Sequence, residues 1–135
     1  MIRVSRTAPP AILMKQAVAW TSSLLNAVTD DQRKSALKKY NNPGIRSALH
    51  CMFHGKCAYC ESKITHVSYA HIEHYKPKCK YPELAFEWNN LLLSCSICNS
   101  SQYKGVQFPT AKEKGPILDP CTDEPSQHLN FVYDR

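Results

Sequence analysis

No stretch of this chain approaches the ~18 consecutive apolar residues that a membrane-spanning helix needs. The apolar segment that follows Arg3 and Arg6 is interrupted by Lys15 and Gln16, which also argues against a secretory leader. Internal repeats and low-complexity runs are lacking. So is an even number of cysteines: there are seven, and four of them form two Cys-x2-Cys pairs while Cys51, Cys79 and Cys121 stand alone. That pattern excludes a disulfide framework and points to metal-bound thiolates in a reducing compartment, so a cytoplasmic protein is expected. Acidic residues are scarce in most of the chain. Residues 1–110 hold 14 Lys and Arg against 6 Asp and Glu, a net of +8, whereas residues 111–135 hold 3 against 5, a net of −2. A basic body with a mildly acidic tail suits a polyanionic partner, nucleic acid first, although basic charge also serves plain solubility.

What is present fits one modest domain. With 135 residues, 43% of them hydrophobic and 21% charged, the chain can build a core that a metal staple would reinforce. Residues 1–8 read as an extended arm, and Pro9-Pro10 suits a helix start. Leu13, Ala17, Trp20, Leu24 and Val28 recur at helical spacing, predicting a helix from Ala11 to Val28 with Trp20 in the core. Thr29 and Gln32 have capping-box spacing, so a second helix is expected from Asp30 to Tyr40. Its Arg33, Lys34, Lys38 and Lys39 form a solvated face or, alternatively, a phosphate-contacting one. Asn42 can cap a third helix with Pro43 in its first turn and Gly55 as its stop. His50 and His54 lie at i, i+4 on it, but with no further ligand beside them they read as ordinary helix residues. A strand is expected over residues 63–75, a loop over 79–88 with a helical turn near Pro82, and a short buried strand from Asn90 to Ser94. Trp88, just before that strand, reads as core. A helix should then run from Cys95 through Asn99 and Lys104 to Gly105, followed by an irregular tail with Pro109, Pro116, Pro120 and Pro125.

The pairs Cys57/Cys60 and Cys95/Cys98 can supply four thiolates in a tetrahedral cage, the usual closed structural Zn2+ site. Iron is the weaker alternative. Such a cage ties together the two ends of the intervening 34 residues and has no open position for chemistry. Cys79, inside that loop and unpaired, reads as a bystander. The loop contains His71-Ile72-Glu73-His74. His74 has the chemistry of a general base near neutral pH, and Glu73 offers the hard oxygen that Mg2+ or Mn2+ prefers. Neighbouring residues of a regular strand face opposite ways, so both can serve one site only if the backbone bends there.

The succession Cys-x2-Cys, Glu-His-x2-Pro, Asn-Leu, Cys-x2-Cys-Asn and then Lys resembles the HNH endonuclease family, with its ββα-metal core. The resemblance implies that His74 is the general base and that Glu73 and Asn99 hold a catalytic Mg2+ or Mn2+. It implies that Asn90 orients the loop carrying the base. The third position is Asn, where His would be the stronger ligand. CAYCES, IEHYKPK, YPELAFEWNNLLLSCSICN and ILDPCTDEPSQHLNF further resemble the HNH subunits of the Septu anti-phage systems, found also beside some retrons. That similarity implies a DNA-cutting effector of defence working with an ATPase partner. Those relatives usually continue beyond the segment matching LNFVYDR, so this chain, ending at Arg135, reads as a short member or a truncated form. Lys76, Lys78 and Lys104 are candidate phosphate contacts, each weighed against a plain surface lysine. His71 is divided between support of the site and packing.

The expected architecture is therefore α+β. Helical residues 1–55 pack on an HNH nuclease core with its zinc knuckle (56–106), and a wrapping tail (107–135) completes a single domain. The competing reading is a non-catalytic zinc module that binds nucleic acid or a protein. Glu73, His74, Asn90 and Asn99 separate the two, since a zinc knuckle alone has no need of them.

Overall fold

A computed structural model describes residues 1–64 and 69–130 of the chain. Three helices come first: α1 (Ala11–Leu25), α2 (Asp30–Lys38) and α3 (Pro43–Met52). Their boundaries follow local chemistry. Thr29 and Gln32 close a reciprocal capping box at the start of α2, and the Asn42 side chain accepts from the Gly44 amide at 2.8 Å to open α3, with Pro43 in its first turn. After α3 the backbone turns left-handed at His54 and Gly55, where φ is 53° and 67°. At Gly55 the positive φ requires the missing Cβ, and its amide donates to His50 O. α1 stops at Leu25, short of the expected Val28, which is 90% exposed. The capping box is the reason: it commits Thr29 and the Val28 amide to the start of α2, with Gln32 Oε1 accepting from both.

Two antiparallel strands form the sheet. β1 (His71–His74) pairs with β2 (Leu91–Ser94) in the register His71 with Ser94 and His74 with Leu91. β2 is buried throughout, as its unbroken apolar run requires. Among the described residues, the strand expected over 63–75 forms over its last third, preceded by a single bridge from Lys63 to Lys56; Thr65 to Ser68 lie outside the described residues. Among the described residues, short 3-10 turns supply the remaining order, at Pro82–Leu84, Trp88–Asn90, Ala111–Glu113 and Pro125–Gln127.

The core lies between the helices and β2. Leu13 and Leu24 of α1 and Ile45, Leu49 and Met52 of α3 meet Phe86, Trp88 and Leu91 to Leu93. Trp20 packs edge-on against Phe86, with ring centroids 5.4 Å apart. The N-terminal arm is bound into this body by Arg6. Its guanidinium donates to the carbonyls of Trp88, Leu91 and Asn89 at 2.9, 2.6 and 3.3 Å, and Trp88 Nε1 donates to Thr7 O at 2.7 Å. The tail meets the same arm where Val4 N donates to Pro120 O. Among the described residues no helix is long and apolar enough to cross a membrane.

The mixed α+β architecture with a four-cysteine site is the expected one. One expected element does not form. From Cys95 to Val106 the chain makes successive turns and not a regular helix. Ser96, Asn99, Ser100 and Ser101 are poor helix formers whose side chains compete for backbone groups, and the Cys95–Cys98 turn curls around its own sulfur, Cys98 N donating to Cys95 Sγ at 3.4 Å.

Candidate functional site

The four paired cysteines converge. Their Sγ atoms all lie within 4.8 Å of one another, with Cys60 and Cys95 3.9 Å apart. Zn–S bonds of ~2.3 Å in a tetrahedron set sulfurs about 3.8 Å apart, so the donor set fits Zn2+. Cys57 and Cys95 are buried, and the Cys95 amide donates to Cys57 Sγ at 3.4 Å. Burial raises Cys57 and Cys98 above the ordinary thiol range, and crowding by neighbouring thiolates adds to it. A bound dication would remove that penalty. The first turn is fastened to the sheet by Ala58 N donating to Leu93 O at 2.8 Å, and β2 runs directly into Cys95. The staple thus fixes one end of the sheet.

Beside the sheet lies a cleft of about 980 Å³. β1 forms its floor, with His71, Glu73 and His74 among the lining residues. Asn99 enters from the turn after Cys98, Lys78 and Cys79 from the loop after β1, and Tyr40 and Arg46 from α2's end and α3. The cleft therefore gathers Glu73, His74 and Asn99 in one place. Glu73 and His74 are adjacent, and the strand ends at His74 before Tyr75 and Lys76 bend away toward Pro77.

His74 is buried, and its Nε2 lies 2.9 Å from Ala85 O. A carbonyl only accepts, so Nε2 carries the proton and the neutral ring keeps its lone pair on Nδ1. Burial, with the charge of Lys78 behind it, lowers the ring to about 4, so the neutral form prevails at ordinary pH. The Tyr40 ring stands edge-on to the imidazole at 4.8 Å and limits its rotation. Asn90 is also buried. Its amide donates to Lys76 O and Leu84 O at 3.0 and 3.1 Å, and its Oδ1 accepts from Lys76 N at 2.8 Å. Tyr75 N donates to Asn90 O. One side chain thus closes the loop that follows His74 onto the start of β2.

Glu73 is 4% exposed, and the ammonium of Lys104 lies 2.5 Å from its Oε1. The approach is close but poorly directed, an ion pair and not a hydrogen bond. Burial raises the Glu73 carboxyl above the usual range, while Lys104 pulls it back. The same ammonium donates to His74 O at 2.7 Å and Gly105 O at 3.3 Å. Lys104, expected to reach phosphate from the surface, is instead buried and internally paired. Its amide donates to Cys98 O, at the staple. Lys78 does line the cleft, its ammonium 4.9 Å from the Tyr40 ring centroid. Lys76 lies 5.8 Å from the Tyr81 ring. Asn99 lines the cleft, and its side-chain Nδ2 lies 3.4 Å from His71 Nδ1.

Tyr40, Arg46 and the inward Lys104 were missed by sequence reasoning. Tyr40 follows the end of α2 and Arg46 lies on α3, and only the fold brings them to the cleft. Arg46 donates to Ala70 O and Asn41 Oδ1, pinning the approach to β1.

Residues 57–105, from the first cysteine to the glycine after Lys104, match the family model described as HNH endonuclease. This stretch is an HNH domain. The chain is 36% identical to Septu protein PtuB of Bacillus mycoides (strain KBAB4), over 97% of its own length and 55% of that protein. It is 34% identical to Septu protein PtuB of Bacillus thuringiensis, over 97% of its own length and 46% of that protein. The chain spans about half the length of these curated relatives.

Proposed function

We propose that this chain is a metal-dependent HNH endonuclease that hydrolyses phosphodiester bonds, most readily in DNA, as the cytoplasmic nuclease of an anti-phage defence system with an ATPase partner. The observation that carries the reading is His74. Its proton is committed to Ala85 O, and its free Nδ1 belongs to a ring held beside Glu73 in an open cleft. Nδ1 takes a proton from water as that water attacks the scissile phosphorus. Asn90 holds the loop after the base, and Tyr40 keeps the ring from turning. Lys78 meets the phosphate backbone at the cleft, and Lys76 meets it nearby. Glu73 and Asn99 offer oxygen donors that suit Mg2+ or Mn2+, and a cation there would stabilise charge on the leaving 3′ oxygen. The closed cysteine site takes Zn2+ and serves shape alone.

The test is nicking of supercoiled plasmid in Mg2+ or Mn2+. His74→Ala should lower the rate by ~10²–10⁴-fold while zinc remains at one per chain. The second reading, a non-catalytic zinc module, is favoured by the Lys104 ammonium that occupies one Glu73 oxygen. It prevails if the wild-type chain cuts no nucleic acid with any divalent cation, alone or with its ATPase partner.

A further inference from the structure

We propose that His71 is a third protein ligand of the cleft cation, so that the site selects Ni2+, Co2+ or Mn2+ over Mg2+. The inference rests on the nuclease reading above and adds an imidazole nitrogen to its donor set. His71 and Glu73 are i and i+2 on β1, so their side chains leave the same face of the strand, about 7 Å apart along it. The antiparallel register places His71 opposite Ser94, the last residue before the Cys95–Cys98 turn. That turn returns the chain so that Asn99 comes back over the same strand end. The zinc knuckle therefore delivers Asn99 to His71, and both line the cleft with Glu73.

The contact itself has the form of two ligands around a common point. His71 Nδ1 and Asn99 Nδ2 are 3.4 Å apart, long for a hydrogen bond between neutral groups. Adjacent ligands ~2.1 Å from an octahedral ion lie about 3 Å from each other. A half-turn of the Asn99 amide exchanges its nitrogen for Oδ1 and completes a carboxylate, amide-oxygen and imidazole set. His71 is exposed, so burial of the ring does not account for its place at the cleft. Lys104 engages Glu73 at Oε1, so the carboxylate oxygen this set would use is Oε2. Oxygen-only sites suit Mg2+, whereas an imidazole tilts a site toward later divalent metals.

The experiment uses the zinc-loaded His74→Ala chain, which removes the neighbouring imidazole and the cutting activity together. Pulsed electron paramagnetic resonance of bound Mn2+ should show coupling to an imidazole nitrogen that disappears in His71→Ala. Calorimetric titration should show Ni2+ binding weakened tenfold or more by His71→Ala, with Mg2+ binding changed less than twofold. His71→Asn, which can still hydrogen-bond Asn99, should not rescue Ni2+ binding. Glu73→Gln should remove the same site, and a nitrogen signal that survives it counts against the proposal. Mn2+ bound through Glu73 without nitrogen coupling overturns the role of His71 and leaves the nuclease reading standing. If no second cation binds, the proposal falls; plasmid nicking by the wild-type chain then decides whether the nuclease reading falls with it.

Discussion

β1 and β2 are paired strands of four residues each, yet they are stable for opposite reasons. β2 reads Leu-Leu-Leu-Ser and is held by burial on both faces. β1 reads His-Ile-Glu-His and hides a carboxylate and an imidazole, each of which needs a named partner: Lys104 for Glu73, Ala85 O for His74. A strand that buries polar side chains borrows its stability from outside the sheet, and its neighbour supplies the rigid straightedge. The difference predicts that damage to β2 is non-specific loss of packing, while damage to β1 is electrostatic and depends on pH.

The largest effect should come where β2 enters the staple. Cys95→Ser, or removal of zinc by a chelator, should abolish cooperative unfolding, since structural zinc contributes on the order of 10 kcal/mol in small domains. Calorimetry with and without added zinc measures it, and an unchanged transition would show that the sheet stands without the metal. Next is the support of β1. Lys104→Met should cost about 3–5 kcal/mol by leaving the Glu73 carboxylate buried and unpaired. Denaturant unfolding reads that loss, and Lys104→Met with Glu73→Gln should recover part of it. A double variant no more stable than the single one would deny the coupling.

For β2 proper, Leu92→Ala at a fully buried site should cost about 3 kcal/mol with no dependence on pH. His74 supplies the contrast. Its folded value near 4 lies below the ordinary 6.5, so the unfolded chain takes up the proton first as pH falls. The stability from its neutral burial is complete above pH 6.5 and declines toward pH 4, by about 3 kcal/mol in all. A His74→Gln chain should therefore narrow its gap to wild type across that window, both zinc-loaded. A constant gap would mean that the ring titrates normally. The smallest effect expected is that of Arg6→Ala, about 2 kcal/mol, from three carbonyls that lose their shared donor. Retained protection of the β2 amides against hydrogen exchange in that variant would show that the arm is dispensable.

The sequence was most legible where the physics is local. Thr29 with Gln32 and Asn42 with Pro43 set helix starts, and the cysteine spacing marked the staple. The run Leu91 to Leu93 marked a buried strand. What escaped was long-range or competitive. The residues after Cys95 carry enough helical character to predict a helix, but polar side chains and sulfur-directed amides turn the chain instead. Arg6 looks like any basic residue near a terminus, and its three acceptors lie more than 80 positions away. Lys104 reads as a surface charge because nothing near it in sequence announces Glu73. In the cleft, Glu73, His74 and Asn99 could be picked out as residue types. The Tyr40 and Arg46 that wall them in come from the end of α2 and from α3, segments whose local pattern says nothing of a cleft.

Lys104 works mechanically as a tie rod. Its amide is anchored at Cys98 O on the metal-binding turn, and its ammonium grips the carboxylate of Glu73 and the carbonyl of His74. Between the Cys98 carbonyl and the cleft there is one side chain's length of linkage. A shift of the Cys95–Cys98 turn is therefore transmitted to the Glu73 carboxylate and to the His74 peptide together, and the floor of the cleft keeps its shape only as long as the staple keeps its own.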